Sequence, residues 1–244
     1  MSTHEHLIVT DTRGCLPDFL RRLHRLVALG TKCLRNWDGP VWDGRRTSTL
    51  SLVTEEAIIE KLAYVIANPV EAGLVEYARE WPGIVFLPQE LGRRALRIRR
   101  PELFFDERNP KWPEEVELEL TMPPPLDRDY QHDTIRDAVA AQVRQLEDAA
   151  RRERSRLGRR VLGQKRIKQL SPFTRATTQE RSGGLSPTFA VGRGQGRAFR
   201  EALTQLREFR RAYRRAFEQW REGLRSVVFP EGTWLMKRLH GAIA

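Results

Sequence analysis

The sequence predicts an α+β fold: a small antiparallel sheet with helices, followed by a mostly α-helical basic C-terminal region. Three observations predict it. The runs Leu7-Ile8-Val9-Thr10 and Thr47 to Val53 are short and rich in β-branched residues, as strands are. Apolar residues recur instead at spacings of three and four in Leu16–Arg35 and in the last third of the chain, which is the helical period. Residues 130–244 hold 25 Lys and Arg against 11 Asp and Glu, so the net charge of +11 arises wholly at the back of the chain. The organisation expected is an α/β region over 1–88, a proline-rich connecting segment over 89–129 and an arginine-rich helical region over 130–244.

Each element follows from its residues. If Glu5 to Thr10 is a strand, His4 and His6 project from one face, because strand side chains alternate with period two, and Glu5 points to the other. Leu16, Phe19, Leu20, Leu23, Leu26 and Val27 form a helical stripe that should pack on the sheet, with Pro17 tolerated in the first turn. Trp37 to Arg46 is punctuated by Gly and Pro and reads as a loop. A helix is expected from about Thr54 to Ala67, ended by Pro69 because the residue before a proline is pushed out of the helical region.

Prolines from Pro110 to Pro125 favour extended structure, and Val116 to Thr121 alternates apolar and acidic residues like a half-buried strand. Asp133 to Gln169 reads as one long helix bent near Gly158 and Gly163, and Ser171 to Gly196 as a loop. The last helix carries Phe199, Leu203, Leu206, Phe209, Tyr213, Phe217, Trp220 and Leu224 on one narrow seam. Such a seam needs a partner, either the Asp133–Gln169 helix in a hairpin or a second copy of the chain in a homodimer.

Composition narrows the classes. A chain of 244 residues forms one large or two small domains, and no apolar run approaches the roughly 20 residues of a membrane span. No membrane partner is expected. Two cysteines without metal-type spacing and no secretory leader point to a cytoplasmic, nucleoid-associated protein. The arginine excess suits phosphate oxygens, since a planar guanidinium fork matches them better than an ammonium, although a solvated helix would carry the same composition. Arg193-Gly-Gln-Gly-Arg197 lacks the Lys-Ser/Thr ending of a phosphate loop. His24 reads as a surface residue, and His132 and His240 have no ligand-type neighbours.

The chemistry-bearing residues lie in Tyr64-Val-Ile-Ala-Asn68-Pro69 and in His4-Glu5-His6. On a helix Tyr64 and Asn68 share one face, one turn apart, and Asn68 can offer a carboxamide oxygen to an ion that meets both imidazoles. A tyrosine that attacks DNA keeps the phosphoryl group in a diester, so the cut can be reversed by an incoming hydroxyl. A divalent cofactor, Mg or Mn, would polarise the phosphate for a phenol whose free pKa of about 10 leaves it protonated. Two further classes stand beside this one: a noncatalytic nucleic-acid-binding protein that uses its arginine-rich helices, and an interaction protein that dimerises through them.

In the order MSTHEHLIV, WDGPVWDGRR, KLAYVIANPVEAGLV and EWPG, these segments resemble the REP-associated tyrosine transposases, single-tyrosine members of the HUH nucleases. The resemblance covers residues 1 to about 85. It implies a truncated HUH-type antiparallel sheet with Tyr64 as the catalytic nucleophile, His4, His6 and Asn68 as metal ligands, and Trp42, Arg45 and Arg46 as DNA-binding residues, the arginines on phosphates and Trp42 stacked on a base. The partner it implies is single-stranded or hairpin DNA, cut and rejoined through a 5′-phosphotyrosine. Two departures accompany it. Glu5 stands where the family has an apolar residue, and the two or three strands and helix that precede the histidine pair in the family are missing, so an N-terminally truncated copy, active or inactive, is expected.

Overall fold

The computed structural model describes residues 5–42, 47–102, 104–128, 131–171, 173–174 and 188–243. Among these the chain mixes helix and sheet: six α-helices, one two-stranded parallel pair and one two-stranded antiparallel pair. Helix α1 spans Leu16–Arg35 and α2 spans Glu55–Glu71, with strand β1, Ser51–Leu52, just before α2. Strands β2, Ala95–Arg99, and β3, Glu115–Glu119, form the antiparallel ribbon. Helices α3, His132–Arg156, and α4, Gln164–Gln169, come next. Strand β4, Phe189–Ala190, and helices α5, Gly196–Arg221, and α6, Trp234–His240, complete the described elements.

The main core is built by α2 against α3. Ile58, Leu62, Ile66 and Val70 recur every fourth residue along α2, so one stripe of the helix is apolar and buried. It meets Ile135, Val139 and Val143 of α3, with Val75, Ala78, Leu91, Met122, Leu126 and Ile167 closing the cluster. Each such side chain stabilises by roughly 1.5–3 kcal/mol when fully buried. Thr54 caps α2, its hydroxyl accepting from the Ala57 amide at 3.2 Å.

Pro69 does not end α2, contrary to its expected role: the helix continues to Glu71 with Pro69 buried inside it. A proline deletes one helical hydrogen bond, at a cost of ~3 kcal/mol in a helix interior. Here the last turn is closed by other donors. The Ala72 amide reaches the Asn68 carbonyl and the Leu74 amide the Pro69 carbonyl, both at 2.9 Å, and the Arg154 guanidinium donates to the Val70 carbonyl at 2.8 Å. Packing of the ring and capping from a distant helix outweigh the local preference.

Polar groups of α3 tie the core to the loops around it. The buried Glu147 carboxylate accepts from the Ala78 amide at 2.8 Å, and the buried Arg136 donates to the Leu91 carbonyl at 2.9 Å. After α3 the chain breaks as Gly158 and Gly163 predict, both at positive φ. Between them the backbone doubles back, Leu162 and Gly163 donating to the Gly73 and Leu74 carbonyls at 3.0 and 2.9 Å. That docks α4 on the same core.

Several expectations fail, each for want of a partner or because one comes from elsewhere. Residues 5–10 take no regular secondary structure and belong to no sheet among the described residues. Of the expected strand Thr47–Val53 only β1 forms, and it pairs in parallel with β4, inside the region expected to be loop. The antiparallel pairing lies instead in β2 and β3, where Leu96 faces Leu118 and Ile98 faces Val116, while Arg97 pairs with Glu117 at 3.1 Å. Strand β3 is exposed throughout, not half-buried, and on the apolar face it shares with β2 only Leu96 is half-buried among the described residues. Helix α1 buries no residue, because no sheet lies beneath its stripe. Finally, α5 does not run along α3 in a hairpin. Its C-terminal half packs instead on the segment that follows it, where Ala216, Tyr213 and Trp220 meet Val227, Phe229, Met236 and Ala242 in a second, smaller core.

No helix among the described residues is long and apolar enough to cross a membrane.

Candidate functional site

The face of α2 opposite its apolar stripe is decided by helical periodicity. Tyr64 and Asn68 fall one turn apart on it and are both half-buried, as the spacing requires. Lys61, three residues before Tyr64, shares that face, and its Nζ lies 5.3 Å from the centroid of the Tyr64 ring.

The N-terminal segment reaches this face without forming a strand. Its side chains still alternate: Ile8 packs on the main core, while Leu7 and Val9 are 50% and 46% exposed. His6 has the inward parity of Ile8, and its imidazole meets Tyr64 edge to face, with ring centroids 5.3 Å apart and planes at 76°. Its Nε2 is buried. An imidazole and a phenol from opposite ends of the α/β region thus touch.

Glu5 takes the outward parity, and its carboxylate lies 3.2 Å from Nε2 of His24 on α1. A carboxylate that looks costly to bury is therefore placed at the surface against an imidazole. His24, expected to be an idle surface residue, is half-buried and links three parts of the molecule. Its ring lies 4.7 Å from that of Trp42, and its carbonyl accepts from the Trp42 indole nitrogen at 2.8 Å. Trp42 is thereby pinned to α1, and it is Trp37 whose ring is the more exposed, with its indole nitrogen donating to the Pro40 carbonyl at 3.3 Å.

Of the residues singled out in the sequence, the fold brings His6 onto Tyr64, with Asn68 one turn further along the same helix face, and holds Trp42 beside α1. His4, Arg45 and Arg46 lie outside the described residues. Among the described residues no three His, Cys, Asp or Glu side chains converge on a point that could hold an ion. The donors that remain are an imidazole and a carboxamide, so an ion there would draw the rest of its shell from His4, water or substrate oxygen.

Lys61 and His24 escaped the sequence reading for different reasons. Lys61 was legible, because residues three apart share a helix face. His24 was not, because its partners, Glu5 and Trp42, are joined to it only through the packing of loop and terminus on α1.

The Arg193 segment is likewise accounted for by packing. The Arg193 amide donates to Glu60 of α2 at 2.9 Å, and a Cβ at Gly192 would come within 2.6 Å of the Glu56 Cβ. A loop that faces a carboxylate and lies against a helix is a seam, not a phosphate cradle.

No family model, no curated protein and no solved structure matches this chain.

Proposed function

We propose that the chain is a tyrosine nuclease and strand transferase of the REP-associated transposase type, acting on single-stranded DNA beside a hairpin. The observation that carries this is the edge-to-face contact of His6 with Tyr64, with Asn68 one turn away.

In the first step Tyr64 Oη forms a bond to the scissile phosphorus as the bond from phosphorus to the 3′ oxygen breaks. The proton released by the phenol ends on the departing 3′ hydroxyl, and the 5′ end remains on the tyrosine as a phosphodiester. An incoming 3′ hydroxyl reverses the step and rejoins the strand, with no net change in bond type. Lys61, held over the ring, lies where it can attract the phosphate oxygens of a strand brought against Tyr64. His6 and Asn68, together with His4, would hold Mg or Mn; when bound, the ion would neutralise charge on the phosphate.

The test is a covalent adduct. The protein is incubated with Mn and a pool of fluorescent single strands that carry a hairpin beside randomised flanks, then denatured and resolved on a gel. A labelled band at the mass of the protein is expected, lost in Tyr64→Phe and after chelation, and weakened at least tenfold in His6→Ala. A band that survives Tyr64→Phe would overturn the assignment of the nucleophile. If strands bind but no band forms, the second class, a nucleic-acid-binding protein without catalysis, takes its place; the unpaired arginines of α5 favour that class.

A further inference from the structure

Helix α5 carries eight arginines against three glutamates. Arg197 pairs with Glu201 at 2.8 Å, but Arg207, Arg210, Arg211, Arg214 and Arg215 make no side-chain ion pair or hydrogen bond with any described residue. Uncompensated charge at this density repels itself, so it is stabilised by whatever polyanion comes to it.

Aromatic rings stand among these arginines. Phe209, Tyr213 and Phe217 recur every fourth residue, and their rings form a ladder: 6.4 Å and 21° between the first two, 5.9 Å and 10° between the second two. With Arg210 and Arg214 they line one shallow cleft. Tyr213 is anchored from behind by Phe229, 5.7 Å away, whereas Phe209 and Phe217 remain 39% and 37% exposed. Rigid rings with free π surface, flanked by guanidinium groups, match the two repeating parts of an unpaired nucleic acid strand.

We infer that α5 is a binding surface for single-stranded DNA, with phosphates on Arg207, Arg210, Arg211, Arg214 and Arg215 and bases against Phe209, Tyr213 and Phe217. It goes beyond the cleavage site, because it uses neither Tyr64 nor its neighbours. A second copy of the chain fits the surface poorly: seam against seam, Arg210 and Arg214 would face their own kind. A bilayer fits poorly too, since a membrane-surface helix keeps charge off its apolar face and here guanidinium groups share the cleft with the rings. Duplex hides its base faces in the stack. RNA would be chosen over DNA by groups that read the 2′ hydroxyl, and the cleft lining has no amide or carboxylate for it, only the Tyr213 hydroxyl.

The full chain is titrated, in the presence of chelator so that no metal-dependent cleavage intrudes, into a fluorescein-labelled oligodeoxythymidylate of about 20 nucleotides, longer than the ~4–16 nucleotides of a typical single-strand site. Anisotropy gives Kd over a series of salt concentrations. Replacing the five arginines by Gln is expected to flatten the slope of log K against log salt by about 3.5, at ~0.7 per phosphate released. Phe209→Ala with Phe217→Ala is expected to weaken binding at least about fivefold with the slope unchanged, because stacking is worth ~1–3 kcal/mol per base and releases no counterions. Unchanged circular dichroism and thermal midpoints establish that both variants fold. Wild-type affinity and slope in the arginine variant would overturn the surface. Equal or tighter binding of duplex, of oligouridylate or of phosphatidylserine vesicles would overturn its assignment to single-stranded DNA. Protein mass that rises with concentration in the wild type and not in the aromatic variant would replace the strand by a second copy. The adduct assay with Tyr64→Phe gives its answer whichever way these fall, so the two sites fail separately.

Discussion

Helices α3 and α5 are nearly the same length and both rich in arginine, yet they use it in opposite ways. Four of the six arginines on α3 are engaged by the protein itself: Arg136 by the Leu91 carbonyl and Asp133, Arg151 by Asp148 and the Tyr77 ring, Arg154 by Val70 and Glu76, and Arg156, at the surface, by Glu153. On α5 one of eight is engaged in an ion pair with a described residue. The difference is one of acceptors. Three of these arginines pair with acids three residues earlier on α3 itself, and Arg154 reaches the end of α2, whose last carbonyls and the flanking Glu76 supply acceptors at the negative end of a helix. Helix α5 packs through Phe199 on Phe189 and through its C-terminal half on the segment behind it, and Arg207, Arg210, Arg211, Arg214 and Arg215 lie on exposed positions between. Positive charge in this chain is thus structural where an acceptor holds it and available where none of the described residues does.

The comparison predicts the sharpest contrast in the core itself. Ile66 is buried between α2 and α3, and Ile66→Ala should cost about 2–5 kcal/mol, read as a lower urea midpoint. Phe209→Ala on α5 should leave the midpoint nearly in place; an equal loss at both positions would mean that α5 is covered in solution.

A smaller contrast separates the arginines. The Arg154 side chain is 12% exposed and joins α3 to the last turn of α2, so Arg154→Ala should destabilise by about 1.5–3 kcal/mol by stranding the Val70 carbonyl and Glu76. Arg214→Gln should fall within about 0.5 kcal/mol of wild type. Equivalent effects would erase the distinction between held and available charge.

The smallest effect is expected at α1, which neither core covers. The Asp11 carboxylate accepts from the Leu16 amide at 3.0 Å and the Cys15 amide at 2.8 Å, and these amides hold its pKa below 3.8. A carboxylate whose folded pKa lies below its unfolded one stabilises above the unfolded value and loses that contribution as pH falls through the folded one. The protection of amides at the start of α1, measured against their intrinsic exchange rates at each pH, should therefore fall below about pH 4, and Asp11→Asn should remove that acid dependence. Protection that persists to low pH would show that α1 is held by contacts other than this cap.

Local order was legible because it depends on near neighbours. The stripe of Leu16 to Val27 gave a helix, and α1 runs from Leu16 to Arg35. The positions Gly158 and Gly163 gave the break after α3, since both take positive φ, which glycine alone adopts freely. Period-two alternation put His6 and Ile8 on one side of the N-terminal segment even though no strand forms there. Where a distant partner decides, the same reasoning failed. Pro69 stays helical because Arg154 and the core compensate for it, and β1 finds its partner in Phe189 and Ala190, far along the chain.

The candidate site divides in the same way. That Tyr64, Asn68 and Lys61 share a face was fixed by 3.6 residues per turn, before any packing, because a helix closes its own hydrogen bonds. That His6 lies against that face, that Glu5 turns outward to His24, and that α5 is left with its arginines in water were decided by the fold alone. Such contacts join residues with no periodic relation. They exist only once a core has brought their segments together.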